Sequence, residues 1–335
     1  MAAGLVVLTV LKCGFSTYPA VSGAVLVAKA LPGVPGSTPY EQFIYSSPLG
    51  PLLARMVGAL TVQTYVVLHA VILIFGLGGL LFAVWRSRGE RAARLTLLAL
   101  CCTSLPMILL SWIGSYDVFT FVIGSLLVVV EAWPVLIVLA VLLGLAHFEQ
   151  GLFIVAALLV LSTSRRWGRV QHGLMLIGGL LAGKALLTYY LKSLGVVGSR
   201  WLWVVSPLDE GGGLLGRLTH NLPTLLYSLL GGGWVLLLLI AFVVGREWPE
   251  SKRALVVLAA LLVPVLVTLD QTRVYAIISW PVIMYLMLLV DERASDEGVS
   301  LIAGGGLLAA LLTPAVYIWQ GVAQTPLFKL FLKNQ

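Results

Sequence analysis

Apolar runs close to 20 residues long recur along this chain, separated by short polar junctions. A helix needs about that length to cross ~30 Å of hydrocarbon, and inside lipid each backbone N–H and C=O must find its partner within the spanning structure. The pattern predicts an all-α fold, a polytopic membrane helical bundle. Candidate spans fall at 2–20, 61–85, 93–113, 117–131, 133–146, 150–163, 170–191, 222–244, 254–269, 273–290 and 300–321, about eleven in all. Only 10% of the 335 residues are charged and 60% are hydrophobic. Soluble domains carry roughly a quarter charged residues, so this chain cannot cover itself in water.

The net charge of +7 is not a nucleic-acid signal, because the basic residues fall in short loops between spans, where they set orientation. Arg86, Arg88, Arg91 and Arg94 form one cluster, Arg165, Arg166 and Arg169 a second, and Arg246, Lys252 and Arg253 a third. Excess Lys and Arg marks the cytoplasmic side. All three loops reach that side only if the apolar stretch 117–146 breaks at "EAWP", where Pro134 suits the start of a new helix. This topology puts the N-terminus in the cytoplasm and the "QTPLFKLFLKNQ" tail outside. The apolar start has no basic leader region or convincing cleavage site and reads as the first span or an end-trimmed one. Cys13, Cys101 and Cys102 do not make a disulfide framework, and no Ser-rich linker or internal repeat divides the chain. A single transmembrane domain over 1–335 is expected.

Sorted by side, the carboxylates separate. Glu90, Glu247, Glu250, Asp291, Glu292, Asp296 and Glu297 share cytoplasmic loops with Lys and Arg and read as a solvated face. Glu41, Asp117, Glu149, Asp209, Glu210 and Asp270 fall at the outer face, Asp117, Glu149 and Asp270 in junctions of only a few residues. Carboxylates at one depth near the membrane surface either snorkel to water or face a shared cavity. In "LAHFEQGLF", His147 beside Glu149 is a usable acid/base pair, because histidine titrates near working pH and a neighbouring carboxylate fixes its orientation. The alternative is that Glu149 caps the following helix.

The first outer loop, about 21–60, contains "STPYEQFIYSSPLGPLLARMVG", which reads as an interfacial segment ending in a short amphipathic helix. Glu41 and Tyr45 would be available there to a bound substrate. In "TLDQTRVYAI", Arg273 stands on the outer side against the charge trend and calls for an anion, either Asp270 or a phosphate. Lys184, deep enough to need a partner, joins Lys192, Arg200, Arg217 and His220 on that side. His69, in mid-span, is expected to pack. The glycine triplets at 211–213, 231–233 and 304–306 lack a phosphate-loop context and read as turns or close helix contacts.

Three of these stretches, "YEQFIYSSPLGPLLAR", "WIGSYDVFTF" and "AHFEQGLF", follow in an order that resembles the GT-C superfamily of membrane glycosyltransferases. The resemblance covers residues 1–191 as a GT-C-like module, with 192–335 as variable C-terminal helices. It implies a first outer loop with juxtamembrane helices and a catalytic acid, here Glu41 where the family usually has aspartate, and a second outer loop carrying Asp117. It further implies transfer of a sugar from a polyprenyl-phosphate donor to a glycan, lipid or protein acceptor on the extracytoplasmic side. Glu41 or Asp117 would act as base and His147 and Glu149 would orient substrate or serve as acid/base. Tyr45, Lys184, Lys192, Arg200, His220, Asp270 and Arg273 would hold substrate and phosphate. No organic cofactor is implied, and a divalent cation stays open. The rival readings are a lipid-linked glycan polymerase or ligase built on Arg and His, a transporter or flippase, and a non-catalytic assembly subunit.

Overall fold

The computed structural model describes residues 2–33, 44–161, 170–195, 222–244, 248–266, 268, 270–319 and 322–324. Glu41, Arg200 and His220 lie outside the described residues, as do Arg165, Arg166, Arg169, Asp209, Glu210, Arg217, Arg246 and Glu247. The helices are α1 (Ala2–Cys13), α2 (Val21–Ala30), α3 (Leu49–Val57), α4 (Val62–Arg88), α5 (Glu90–Cys102), α6 (Leu105–Ser111), α7 (Asp117–Val129) and α8 (Trp133–Leu161). They continue with α9 (Val170–Ser193), α10 (Leu222–Leu230), α11 (Gly233–Val244), α12 (Pro249–Ala260), α13 (Leu262–Leu266), α14 (Gln271–Arg293) and α15 (Asp296–Leu312). A two-stranded antiparallel hairpin, β1 (Tyr317–Trp319) and β2 (Val322–Gln324), follows them.

An all-α bundle fits, but about eleven crossings are not shown among the described residues. By length and composition four helices could cross a membrane, with α8 counted as one although it is kinked at His147, or up to six if each of two bent pairs is one span. The expected span at 93–113 is the pair α5 and α6, bent by 69°, and that at 222–244 is the pair α10 and α11, bent by 70°. Pro106 and the glycines at 231–233 stand at these bends, where helices commonly turn. The run at 117–131 forms only the 13 residues of α7, about 20 Å at 1.5 Å per residue. The described part of 21–60 holds the expected short helix, α3, and also α2, in a stretch expected to be loop.

By internal contacts the chain divides into two compact units. One comprises 1–15, 79–111 and 207–335. Its central helix is α14, buried along nearly its whole length, with Tyr275, Trp280 and Met284 enclosed. At the C-terminal end of α14, Arg91 bonds Asp291 at 2.7 Å and Asp296 at 2.9 Å. Arg88 reaches Glu292 at 3.3 Å, and Arg293 reaches Glu250 at 2.9 Å. The charged loops around 86–94, 249–253 and 291–297 therefore share one end of this unit, paired with each other as a solvated face. Asp270 and Arg273 stand at the other end of α14, about 34 Å of helix away. There the hairpin is pinned by Ile318 N–H donating to Thr272 Oγ1 at 3.0 Å. Gly305 faces Leu239 and Gly306 faces Leu98 and Leu236, so that triplet serves close helix packing.

The other unit comprises 16–78 and 112–206. Its first loop is stitched to the Asp117 turn, since Tyr18 N–H donates to the Ile113 carbonyl at 2.9 Å and Ile113 N–H to the Ser16 carbonyl at 3.2 Å. The break expected at "EAWP" is present between Val129 and Trp133. The junction expected at "HFEQ" takes a different form, because Trp133–Leu161 is continuously helical apart from His147, whose backbone is extended at φ −164, ψ 94.

That one residue reverses the chain. A side chain on Gly151 would lie 2.9 Å from Leu143 Cγ, whereas a straight helix separates residues eight apart by about 12 Å. Before the reversal, Ile137 and Ala140 face Gly179 and Val141 faces Gly183; after it, Gly151 faces Leu180 and Leu159 faces Gly173. The first half of α8 thus runs parallel to α9 and the second half antiparallel. Backbone contact is close, as a Cβ on Gly183 would overlap the Val141 carbonyl and one on Gly144 the Leu180 carbonyl. Small residues permit this approach, which replaces the hydrophobic drive that lipid removes.

A distance measurement checks the reversal. Spin labels at Val138 and Val160, both more than half exposed, would stand about 33 Å apart on a straight helix. The expected separation is below about 20 Å, and a value near 33 Å would overturn it.

Candidate functional site

The second unit gathers polar groups from three of the stretches expected at the outer face. The Asp117 turn begins with Gly114 at φ +100, a backbone region that glycine enters without steric cost. The turn folds so that Ser115 Oγ donates to Asp117 Oδ2 at 2.9 Å and accepts the Asp117 N–H at 3.3 Å. Asp117 is wholly enclosed at the first turn of α7, where a carboxylate also gains from the helix dipole. Tyr116 beside it meets the His147 ring edge-on, with centroids 4.8 Å apart. The Asp117 and His147 junctions are in contact through these two rings.

At the chain reversal, His147 Nδ1 lies 3.2 Å from Glu149 Oε2, and Gln150 N–H points at the same nitrogen from 3.4 Å. One nitrogen cannot serve both in the neutral ring. Nδ1 accepts the Gln150 N–H when it carries a lone pair and donates to Glu149 when it carries a proton. Glu149 Oε1 also lies 3.8 Å from Lys184 Nζ, with the two side chains 43% and 34% exposed. An ion pair that open contributes under about 1 kcal/mol. Lys184 Nζ sits 5.3 Å from the Phe148 ring centroid, an arrangement that favours a cation over the ring face. The partner demanded for Lys184 on grounds of depth is therefore Glu149, backed by Phe148.

The first loop lies against this region. A cavity with room for about one water is lined by Tyr18, Ser47, Gly50, Tyr65, Gly114 and Tyr116 among others. Tyr45 is buried in the same loop. α3 packs Leu49, Gly50, Pro51 and Ala54 inward and exposes Leu52, Arg55, Met56 and Val57, the division of faces expected of an interfacial helix. It approaches α4 through Gly50, where a Cβ would stand 2.8 Å from both His69 Nε2 and Tyr65 Oη. His69 stacks on Tyr65 at 4.3 Å and meets Phe119 edge-on at 5.4 Å, with Nδ1 against the Tyr65 carbonyl at 2.9 Å. A packing role fits it.

Asp270 and Arg273 belong to the other unit. There Arg273 Nη1 donates to Asp270 Oδ2 at 2.7 Å, with the guanidinium 6% exposed, so the anion called for beside Arg273 is Asp270. Lys192 is exposed in the last turn of α9. Among the described residues no group of three His, Cys, Asp or Glu is placed to hold a metal ion.

Three participants carried no sequence signal as site residues. Tyr116 and Phe148 look like ordinary apolar helix-end residues until the reversal brings them against His147 and Lys184. Gln150 is 2% exposed, yet neither its amide nitrogen nor its amide oxygen has a hydrogen-bond partner among the described residues. Comparisons with protein-family models, curated proteins and solved structures give no match.

The Gly50 contact is directly testable. Gly50→Ala is expected to push α3 off Tyr65 and His69, at a cost of about 1–3 kcal/mol, read as a lower unfolding midpoint in detergent. An unchanged midpoint would mean that α3 is not seated on those rings.

Proposed function

We propose that this chain is an integral-membrane glycosyltransferase of the GT-C kind, moving a sugar from a polyprenyl-phosphate donor to an acceptor hydroxyl on the extracytoplasmic side. The observation that carries this reading is the meeting of the Asp117 turn with the His147, Glu149 and Lys184 cluster, in a unit whose first loop supplies two short helices. Two juxtamembrane helices after the first apolar segment, followed by an acidic turn and a short-helix pair, is the order that the resemblance implies. The long apolar helices are compatible with a multi-pass membrane protein, and the positive-inside rule applied to the sequence expects the His147 junction on the outer side.

The geometry favours His147 as the group that accepts the proton. In this reading Glu149 orients the ring from the Nδ1 side, as the third member of a catalytic triad does, and the acceptor hydroxyl approaches Nε2. The hydroxyl oxygen attacks the anomeric carbon, its proton passes to Nε2, and the bond from that carbon to the phosphate oxygen breaks. The electron pair leaves on polyprenyl phosphate, whose charge Lys184 and the exposed Lys192 offset. Asp117, enclosed and held by Ser115, shapes the turn that presents Tyr116 to His147. The site of Glu41, outside the described residues, keeps its role as the acid of the first loop in this reading. The enclosure of Asp117 beside the more open His147 and Glu149 pair also suits the rival reading, a lipid-linked glycan polymerase or ligase. Product length separates the two, one sugar added per acceptor against a growing chain.

Mass spectrometry of lipids that co-purify with the detergent-solubilised protein tests the donor class. Retained polyprenyl phosphate or its sugar conjugate is expected; finding neither, with no uptake on addition, would sink this reading in favour of a flippase or assembly subunit. In a transfer assay, His147→Ala is expected to lower the rate by about 10²-fold or more, and Glu149→Gln by less. Wild-type rates from both variants would remove the proposed proton path.

A further inference from the structure

We infer that Gln150 is a sugar-recognition residue whose amide takes the two hydroxyls of a vicinal diol on the donor. This rests on the glycosyltransferase reading and names a contact within it. The side chain is 2% exposed, with neither end of its amide partnered among the described residues. Buried polar groups are nearly always hydrogen-bonded, and an exception in a native protein calls for a cause such as a functional role. An amide left in this state has lost its water without gaining a replacement. It gains both bonds back when a ligand supplies one acceptor and one donor. Adjacent hydroxyls of a pyranose or furanose do so, since each is donor and acceptor at once.

The position of Gln150 supports that chemistry. It lies three residues past the His147 reversal, and its own N–H points at His147 Nδ1. Next to it in the chain are Glu149 and Phe148, the carboxylate partly open to solvent and the ring beneath Lys184. A carboxylate, an amide and an aromatic face in one short segment offer hydroxyl-binding groups beside an apolar platform. A sugar reaches the amide only if the side chain turns out of its enclosed position, a rotamer change its long, unbranched stem permits. A ligand there exchanges unsatisfied groups for paired ones, and a sugar lacking one of the hydroxyls would leave an amide end unpaired again.

The test is Gln150→Met, similar in length and without the amide, measured in the full-length detergent-solubilised protein with three probes. These are polyprenyl phosphate, polyprenyl-phosphate mannose and polyprenyl-phosphate glucose. Expected is unchanged affinity for bare polyprenyl phosphate and about a tenfold loss for at least one sugar conjugate, the scale set by one lost hydrogen-bonded group. The unliganded unfolding midpoint should hold or rise, because replacing an unpartnered buried amide with an apolar group removes a desolvation penalty. Equal loss for the bare and the sugar-bearing lipids, or a lowered midpoint in the unliganded variant, would assign Gln150 a structural role and overturn the inference. Wild-type affinity for both conjugates in the variant would also overturn it, leaving the transferase reading intact. Failure of the wild-type protein to bind any of the three lipids would remove that reading and this one together.

Discussion

The contact on which the candidate site depends is backbone against backbone. α8 can fold back at His147 only because Gly144, Gly179 and Gly183 let it lie directly on α9, carbonyl to α-carbon. In water, apolar side chains would drive that packing; among lipid tails the gain must come from close van der Waals fit, and glycine supplies the room. The same contacts fix the level at which Lys184 meets Glu149, since Gly183 and Gly144 adjoin each other one residue away from the lysine. Position and charge of the cluster therefore follow from the fit of two helices rather than from any strong polar bond.

The charged groups of the two units obey different rules. Around Arg91 and Arg293 the ion pairs are largely open to solvent, and pairs of that kind contribute little to stability individually. They gather the charged loops at one end of their unit. Around His147 the groups are fewer, and more enclosed on the histidine side. Each partner there constrains which nitrogen carries the proton. The same residue types thus gather loops at one place and form a candidate reactive group at the other.

Much of this was legible in the sequence where it depends on local rules. The break at Glu131 and Ala132, the amphipathic helix Leu49–Val57, the packing role of His69 and the shared end of the basic and acidic loops follow from proline placement, amphipathic spacing and charge sorting. The fold-back at His147 was legible as a polar junction, although no helix breaker marks it and the local pattern stays helical on both sides. What could not be read depends on partners distant in the chain. Val21–Ala30 has the composition of a loop-embedded apolar run and becomes a helix because the unit buries one of its faces. Asp117 looks like an accessible turn acid and is enclosed by residues brought in by tertiary packing. The burial of Gln150 has no trace in its neighbours, and the pairing of Arg273 with Asp270 was one of two anions its position allowed.

The reversal also bears on how such a chain sits in a bilayer. Each half of α8 is about 14 residues, roughly 20 Å of helix, and α7 is of similar length; all fall short of ~30 Å of hydrocarbon. None reaches across by itself, so each half of α8 depends for its place on α9, through Gly144, Gly179 and Gly183 before the reversal and Gly151 and Gly173 after it.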